Sequence, residues 1–150
     1  MANIHGTAVV LGRFGVLVIG PSGSGKTTLA LELVRRAEGQ GLFAAFVADD
    51  QLLPAPTAGR LVVAAPAGIA GLAEVHGLGP ARVPGIGAAV IDLVVELVEG
   101  SPRYQELVTR PVEGVGLPVV TLPQRHVLQA APVVFAHLRL GTFAGMRQNG

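Results

Sequence analysis

The sequence predicts a mixed α/β domain, and three observations carry the prediction. Short β-branched runs recur at strand length, an amphipathic helical stretch follows the second of them, and a glycine-rich turn joins that strand to that helix. With 150 residues, half of them hydrophobic, and a mean hydropathy of +0.56, the chain has apolar material for one real core. Residues 7–11 (Thr-Ala-Val-Val-Leu) and 16–19 (Val-Leu-Val-Ile) flank Gly12-Arg13-Phe14-Gly15 in the pattern of a hairpin. A helix follows over residues 26–38. Leu29, Ala30, Leu33, Val34 and Ala37 share one face, Glu32, Arg35, Arg36 and Glu38 cover the other, and Gly39 and Gly41 stop it. Leu42 to Ala48 is an apolar run of buried-strand length ending in Asp49-Asp50, after which Pro54, Pro56 and Gly59 mark a loop and Leu61 to Ala64 a strand. Residues 66–87 are rich in Gly and Pro and offer no long element. Ala88 to Val98 alternates and is β-branched, so it reads as a strand with Asp92 and Glu96 on a solvated face. Residues 100–116 read as a loop with one helical turn, Leu117 to Leu122 as a strand, and Pro132 to Leu140 as a helix with Pro132 in its first turn. A single domain over 1–140 and a flexible tail over 141–150 complete the expected organisation, and no repeat of 20–50 residues is present.

Composition removes several function classes. The net charge is +1, basic residues are scattered and aromatics are 4%, so the stripe and stacking platform of a nucleic-acid binder are missing. Gly, Pro or charge interrupts every apolar run before the ~18–20 residues of a membrane span. Met1 to Gly6 lack the basic start and apolar core of a signal peptide. The absence of cysteine excludes disulfides, a thiolate nucleophile and a Cys-type zinc site. The expectation is a bacterial cytoplasmic protein without nucleic-acid or membrane partners. Charged residues are only 14%, which predicts that a second copy covers part of the surface. His126 and His137 lack metal-ligand spacing and read as surface or helix positions.

Ten of the eleven basic residues are arginine, and the exception, Lys26, closes a motif. Gly20-Pro21-Ser22-Gly23-Ser24-Gly25-Lys26-Thr27 matches the Walker A pattern, with Thr28 extending it, at odds of chance on the order of one in a thousand. Glycines let backbone N–H groups turn onto phosphate oxygens, and the following helix offers its positive end to the same anion. Lys26 supplies a mobile positive charge towards the β and γ oxygens, and Thr27 a hydroxyl for Mg²⁺. Asp49 and Asp50 end a strand downstream, where a Walker B carboxylate stands. Adjacent acids on a strand project to opposite faces, so only one faces the phosphates unless the strand ends there. A hairpin turning at Arg13-Phe14 would set His5 opposite Ser22 in the loop, where it could orient a carboxylate or meet a transferring phosphate.

Ile4-His5-Gly6-Thr7, the hairpin, the phosphate loop, Val47-Ala48-Asp49-Asp50 and Glu74-Val75-His76-Gly77-Leu78-Gly79 stand in a distinctive order. In this the chain resembles the catalytic domain of HPr kinase/phosphorylase, in the short form without an N-terminal domain, over roughly residues 4–140. The resemblance implies a P-loop NTPase-like mixed sheet flanked by helices, similar to HPr kinase and PEP carboxykinase. It implies a hexamer that uses ATP and Mg²⁺ to phosphorylate a serine of the phosphocarrier protein HPr. It also implies the reverse attack by phosphate, releasing pyrophosphate. Carried onto this chain, Gly20 to Thr28 would hold the nucleotide, and Thr27, Asp49 and Glu74 the metal. Asp50 would take the serine proton, with Asp49 beside it, and His5 and Lys26 match the family's active-site His and Lys. Arg125, in Leu122-Pro123-Gln124-Arg125-His126, matches a later basic loop tied to dephosphorylation. His76 stands where the family has arginine, and Arg103 and Arg110 are candidates for a further catalytic arginine. A P-loop kinase of a small molecule and a non-catalytic nucleotide sensor remain as alternatives.

Overall fold

A computed structural model describes residues 3–66, 72–75, 79–82, 85–100 and 107–140, with backbone alone at 56, 72–75 and 79–82. The chain opens with β1 (Ile4–His5), β2 (Thr7–Leu11) and β3 (Phe14–Ile19). β2 and β3 form the expected hairpin, but Leu11 pairs with Phe14 and the turn is Gly12-Arg13, one residue earlier than the sequence implied. Gly12 at φ 64° supplies the first position of a II′-type turn, whose twist matches the strands. This ladder ends at Thr7–Val18, and His5 stands outside it on β1. β1 pairs instead with the start of β5 (Gln51–Thr57), His5 opposite Gln51, so the expected placement opposite Ser22 is overturned.

Helix α1 (Lys26–Gly39) buries the five residues that its periodicity selects. On its outer side Arg36 and Arg35 donate to Glu32 at 2.7 and 2.8 Å. The hydrogen bond from Arg36, more than the neighbouring Arg35, holds the Glu32 carboxyl below the ordinary carboxylate range. β4 (Ala44–Ala48) is buried throughout, as its apolar run demands. The expected loop after it is strand β5, hairpinned to β6 (Arg60–Ala64) through Ala58-Gly59. Thr57 and Arg60 close that hairpin, so Pro54 and Pro56 fall on the pairs whose N–H would point away from β6. Neither proline removes a ladder bond there, and β1 reaches only Leu52, so among the described residues no strand pairs with the far edge beside them.

β7 (Leu72–Val75) and β8 (Gly79–Arg82) form a separate antiparallel ribbon, and β9 (Ala88–Val98) has the bounds its pattern predicts. The expected loop over 100–116 contains β10 (Leu107–Val112), paired with β11 (Val115–Pro123) through Glu113-Gly114. All of Leu107 to Pro111 is exposed, so β10 carries no inward-outward alternation to betray it. Helix α2 (Val127–Leu138) starts five residues before the expected Pro132, which sits inside it. Its missing N–H would have served the Leu128 carbonyl, on a turn where Leu128 is 70% exposed and water can substitute. The stretch 141–150 lies outside the described residues.

The main sheet runs β1-β5-β6-β9-β3-β2-β4, with β11 joined to β9 and β10 beyond it. β9 is the junction. It pairs in parallel with β3 along one edge, while β6 (at 88–90) and β11 (at 94–98) share the other. One face of the sheet, through Val9, Leu11, Val16, Val18, Leu93 and Val95, packs on both helices. The opposite face, through Val10, Leu17, Val47, Leu61, Val94 and Val119, packs with no helical residue among the described residues, and the sheet curls over itself to cover it. The predicted mixed α/β class holds, with both helices on one side.

Asp92 and Glu96 are not simply solvated. Gly15 pairs with Ile91 and Val16 with Leu93, leaving Asp92 as the extra residue of a bulge, where its Oδ2 accepts the Gly15 N–H at 2.9 Å. Glu96 accepts from Arg110 Nη2 at 2.7 Å. A Cβ at Gly15 would stand 1.9 Å from the Val90 carbonyl oxygen, a backbone clash that no rotamer relieves. Gly15→Ala is therefore expected to lower stability by roughly 2–4 kcal/mol. Urea unfolding at unchanged m value checks this, and an unshifted midpoint would show that the bulge yields.

Candidate functional site

The phosphate loop leaves β3 at Gly20 and enters α1 through Gly25, whose φ of 95° favours glycine. Gly25 caps the helix without a side-chain bond, and no acid occupies the first turn. With no side-chain cap and no acid of the helix's own in that turn, the first N–H groups and the positive end of the helix dipole suit a phosphate cradle. Pro21, Ser22 and Gly23 form the exposed crest, and Thr28 is exposed on the first turn. Lys26 folds back over the loop, its Nζ donating to the carbonyls of Gly20 at 3.0 Å and Pro21 at 3.2 Å. Inside the loop, Ser24 is 0% exposed, and among the described residues its hydroxyl is the buried side-chain polar atom without a hydrogen-bond partner.

A distant segment braces this loop. Gln124 donates its N–H to the Val98 carbonyl at 2.8 Å, which anchors the turn to the end of β9. Arg125, at φ 59°, donates its backbone N–H to the Ser24 carbonyl at 3.0 Å and its Nη1 to the Gly23 carbonyl at 2.9 Å. Non-glycine residues in the left-handed region are uncommon and cost of order 1 kcal/mol, so packing on the loop holds Arg125 there.

The acid pair lies just past the end of β4, which removes the problem of opposite faces. Asp49 is half-buried and accepts the Thr27 hydroxyl at 2.8 Å on each of its two oxygens, joining the loop to the acid. The Thr7 hydroxyl donates to Asp49 Oδ1 at 2.6 Å. Asp50 is exposed, at φ 73°, on a corner closed by the Gln51 N–H bonding to the Asp49 carbonyl at 2.9 Å. The Gly6 N–H donates to the Asp50 carbonyl at 3.3 Å. His5, exposed on β1, therefore flanks the acid corner rather than the loop crest.

The structure thus brings together Lys26, Thr27, Asp49 and Arg125, with Asp50 and His5 on the adjoining corner. Strand β7, which carries Glu74, runs beside α1 and β4. The side chain of Glu74, and all of His76 and Arg103, lie outside the described residues. Arg110 is engaged with Glu96. Thr7 is the site residue to which the sequence reading gave no role. Its signal was a hydroxyl on the strand face that Val9 and Leu11 bury. For a divalent cation, a hydroxyl and a carboxylate from Thr27 and Asp49 are hard oxygen donors. They suit Mg²⁺, which takes one or two protein ligands and fills its octahedron with phosphate oxygens and water.

A family model described as the HPr serine kinase C-terminal domain matches residues 1–123. The chain belongs to that family. HPr kinase/phosphorylase of Limosilactobacillus reuteri is 34% identical over 81% of this chain and 40% of its own length. That of Brevibacillus brevis is 31% identical over 96% of this chain and 51% of its own length, and that of Malacoplasma penetrans 30% identical over 80% and 42%. The chain therefore spans about half the length, or less, of the curated relatives it matches. The solved Hpr(Ser) kinase/phosphatase of Coxiella burnetii superposes with a TM-score of 0.75 at 22% identity, covering 92% of this chain and 91% of that one. The shared fold is that of this domain family, as the motifs implied. Among the described residues no helix is long and apolar enough to cross a membrane.

Two outcomes follow from the loop. Ser24→Ala removes an unpaired buried hydroxyl, so the thermal midpoint of the isolated protein is expected to hold or to rise by up to ~1 kcal/mol equivalent. A fall would reveal a partner for that oxygen. Arg125→Ala removes the Gly23 contact, and hydrogen exchange of residues 21–26 is expected to quicken severalfold in nucleotide-free protein. Unchanged exchange would mean that the loop holds its shape unaided.

Proposed function

We propose that this domain catalyses ATP- and Mg²⁺-dependent phosphorylation of a serine on an HPr-type phosphocarrier protein, and the reverse attack by phosphate that releases pyrophosphate. The observation that carries the reading is the Thr27–Asp49 contact, because it couples a phosphate loop to an acid pair whose second member is exposed beside it. In the forward direction a bond forms between the serine Oγ and the γ-phosphorus while the bond to the β-bridging oxygen breaks. The serine proton passes to the Asp50 carboxylate, an acceptor the weakly nucleophilic hydroxyl requires. Lys26 and Arg125 offset charge on the transferring group. In reverse, phosphate oxygen bonds to the phosphoserine phosphorus, and protonated Asp50 returns its proton to the departing serine oxygen.

Thr27, Asp49 and Glu74 would hold Mg²⁺, which when bound neutralises charge on the phosphate oxygens. The exposed β1 position of His5 supports a role beside Asp50, orienting that carboxylate or the incoming phosphate. Backbone groups from Gly20 to Thr28 serve the nucleotide, with the crest of Pro21, Ser22 and Gly23 open to it. Association of several copies, a hexamer by the resemblance, agrees with charged residues amounting to only 14%.

Incubation with labelled ATP, Mg²⁺ and HPr tests the reading directly. Asp50→Asn is expected to cost 10²–10⁴-fold in transfer, in both directions, while nucleotide affinity stays within a few-fold. Asp49→Asn is expected to weaken nucleotide binding only when Mg²⁺ is present. Transfer surviving in Asp50→Asn would remove the proton acceptor from this scheme, and wild-type protein that binds ATP without labelling HPr would point to a nucleotide sensor.

A further inference from the structure

Thr7 stands at the start of β2, 0% exposed, with its hydroxyl 2.6 Å from Asp49 Oδ1. A buried hydroxyl needs a partner, and a short O–H···O⁻ contact to a carboxylate is among the stronger ones available. The backbone explains how the two residues meet. β2 pairs with β4 through Leu11–Ala44, Val10–Ala45 and Val9–Phe46, and the register then slips so that Ala8 meets Ala48. Val47 is the extra residue of that bulge. Without it Thr7 would face Ala48; with it, the next position along β4 is Asp49. Bulges re-aim side chains in this way and are over-represented beside active sites.

The consequence lies in the hydrogen count. Each threonine hydroxyl has one hydrogen to donate and lone pairs to offer, whereas an ionised carboxylate only accepts. Thr7 and Thr27 both donate to Asp49, so the hydrogen of Thr27 is committed to the acid. The lone pairs of Thr27 are then left for a cation. Thr7, fixed in β2 by its pairing with Val18, sets the orientation of the carboxylate through Oδ1, an oxygen it shares with Thr27.

We propose that Thr7 is a positioning residue for the divalent-cation site, acting through Asp49 on Thr27. The proposal rests on the reading of Thr27 and Asp49 as metal-holding residues. Its expected signature is the weakening that loss of an outer-shell hydrogen bond brings, 10–100-fold in metal affinity.

The test uses the whole chain, with Mn²⁺ as the probe, and reads its binding by electron paramagnetic resonance in the presence of a non-hydrolysable ATP analogue. Thr7→Val, which keeps the shape and removes the hydroxyl, is expected to weaken Mn²⁺ at least 10-fold while analogue affinity without metal is unchanged. Thr7→Ser is expected to restore it to within about 2-fold. Equal Mn²⁺ affinity in wild type and Thr7→Val, or equal losses in Val and Ser, would overturn the proposal. An independent measurement needs no variant. The Thr7 hydroxyl proton of the wild-type protein is expected as a slowly exchanging NMR resonance, and its rapid exchange with water would also overturn the proposal. Failure here is distinct from failure of the kinase reading. A wild type that binds Mn²⁺ with the analogue but never labels HPr defeats that reading and leaves the comparison at Thr7 standing.

Discussion

One carboxylate ties the molecule's working parts together. Asp49 accepts hydroxyls from Thr7 on the first long strand and from Thr27 on the phosphate-loop helix, so three segments distant in sequence converge on one pair of oxygens. Without that convergence the loop would be a generic anion cradle and the acid pair a polar strand end. With it, the loop and an exposed acid corner at Asp50 are held side by side.

The rest of the fold keeps that convergence in place. β9 lies at the centre because it pairs both with β3, which feeds the loop, and with β11, whose end carries the Gln124-Arg125 turn back to the loop. The loop is thus supported from beneath by β3 and from the side by a segment one hundred residues later in the chain. Two strained backbones, Asp50 at φ 73° and Arg125 at φ 59°, belong to the acid corner and to the brace on the loop. Strain of that kind persists only where surrounding structure over-determines it, and the bonds to Gly6, Gln51, Gly23 and Ser24 do so here.

Legibility in the sequence followed how much each residue's own chemistry constrained it. Helix α1 could be read residue by residue, since a period of 3.6, a polar outer face and terminal glycines all agree. β9 was equally plain from its β-branched run. β5 was hidden by Pro54 and Pro56, which usually exclude a strand but here occupy positions that need no N–H. β10 was hidden because none of Leu107 to Pro111 turns inward, and because Glu113-Gly114 is a weaker turn signal than Asn-Gly or Asp-Gly. Pro132 signalled a helix start, while the helix had already run for a turn over Val127 to Ala131.

The sequence by itself determined the phosphate loop, the acid pair and the family, because these rest on residue types at short fixed spacings, where glycine conformations and helix ends follow from local sterics. Tertiary structure alone decided which residues stand across from one another. Pairing of β1 with β5 set His5 at the acid corner rather than the loop crest, and one extra residue in β4 brought Asp49 within reach of Thr7. Side chains alternate faces along a strand with period two, so register, settled by the packing of the whole sheet, determines what a local motif can touch.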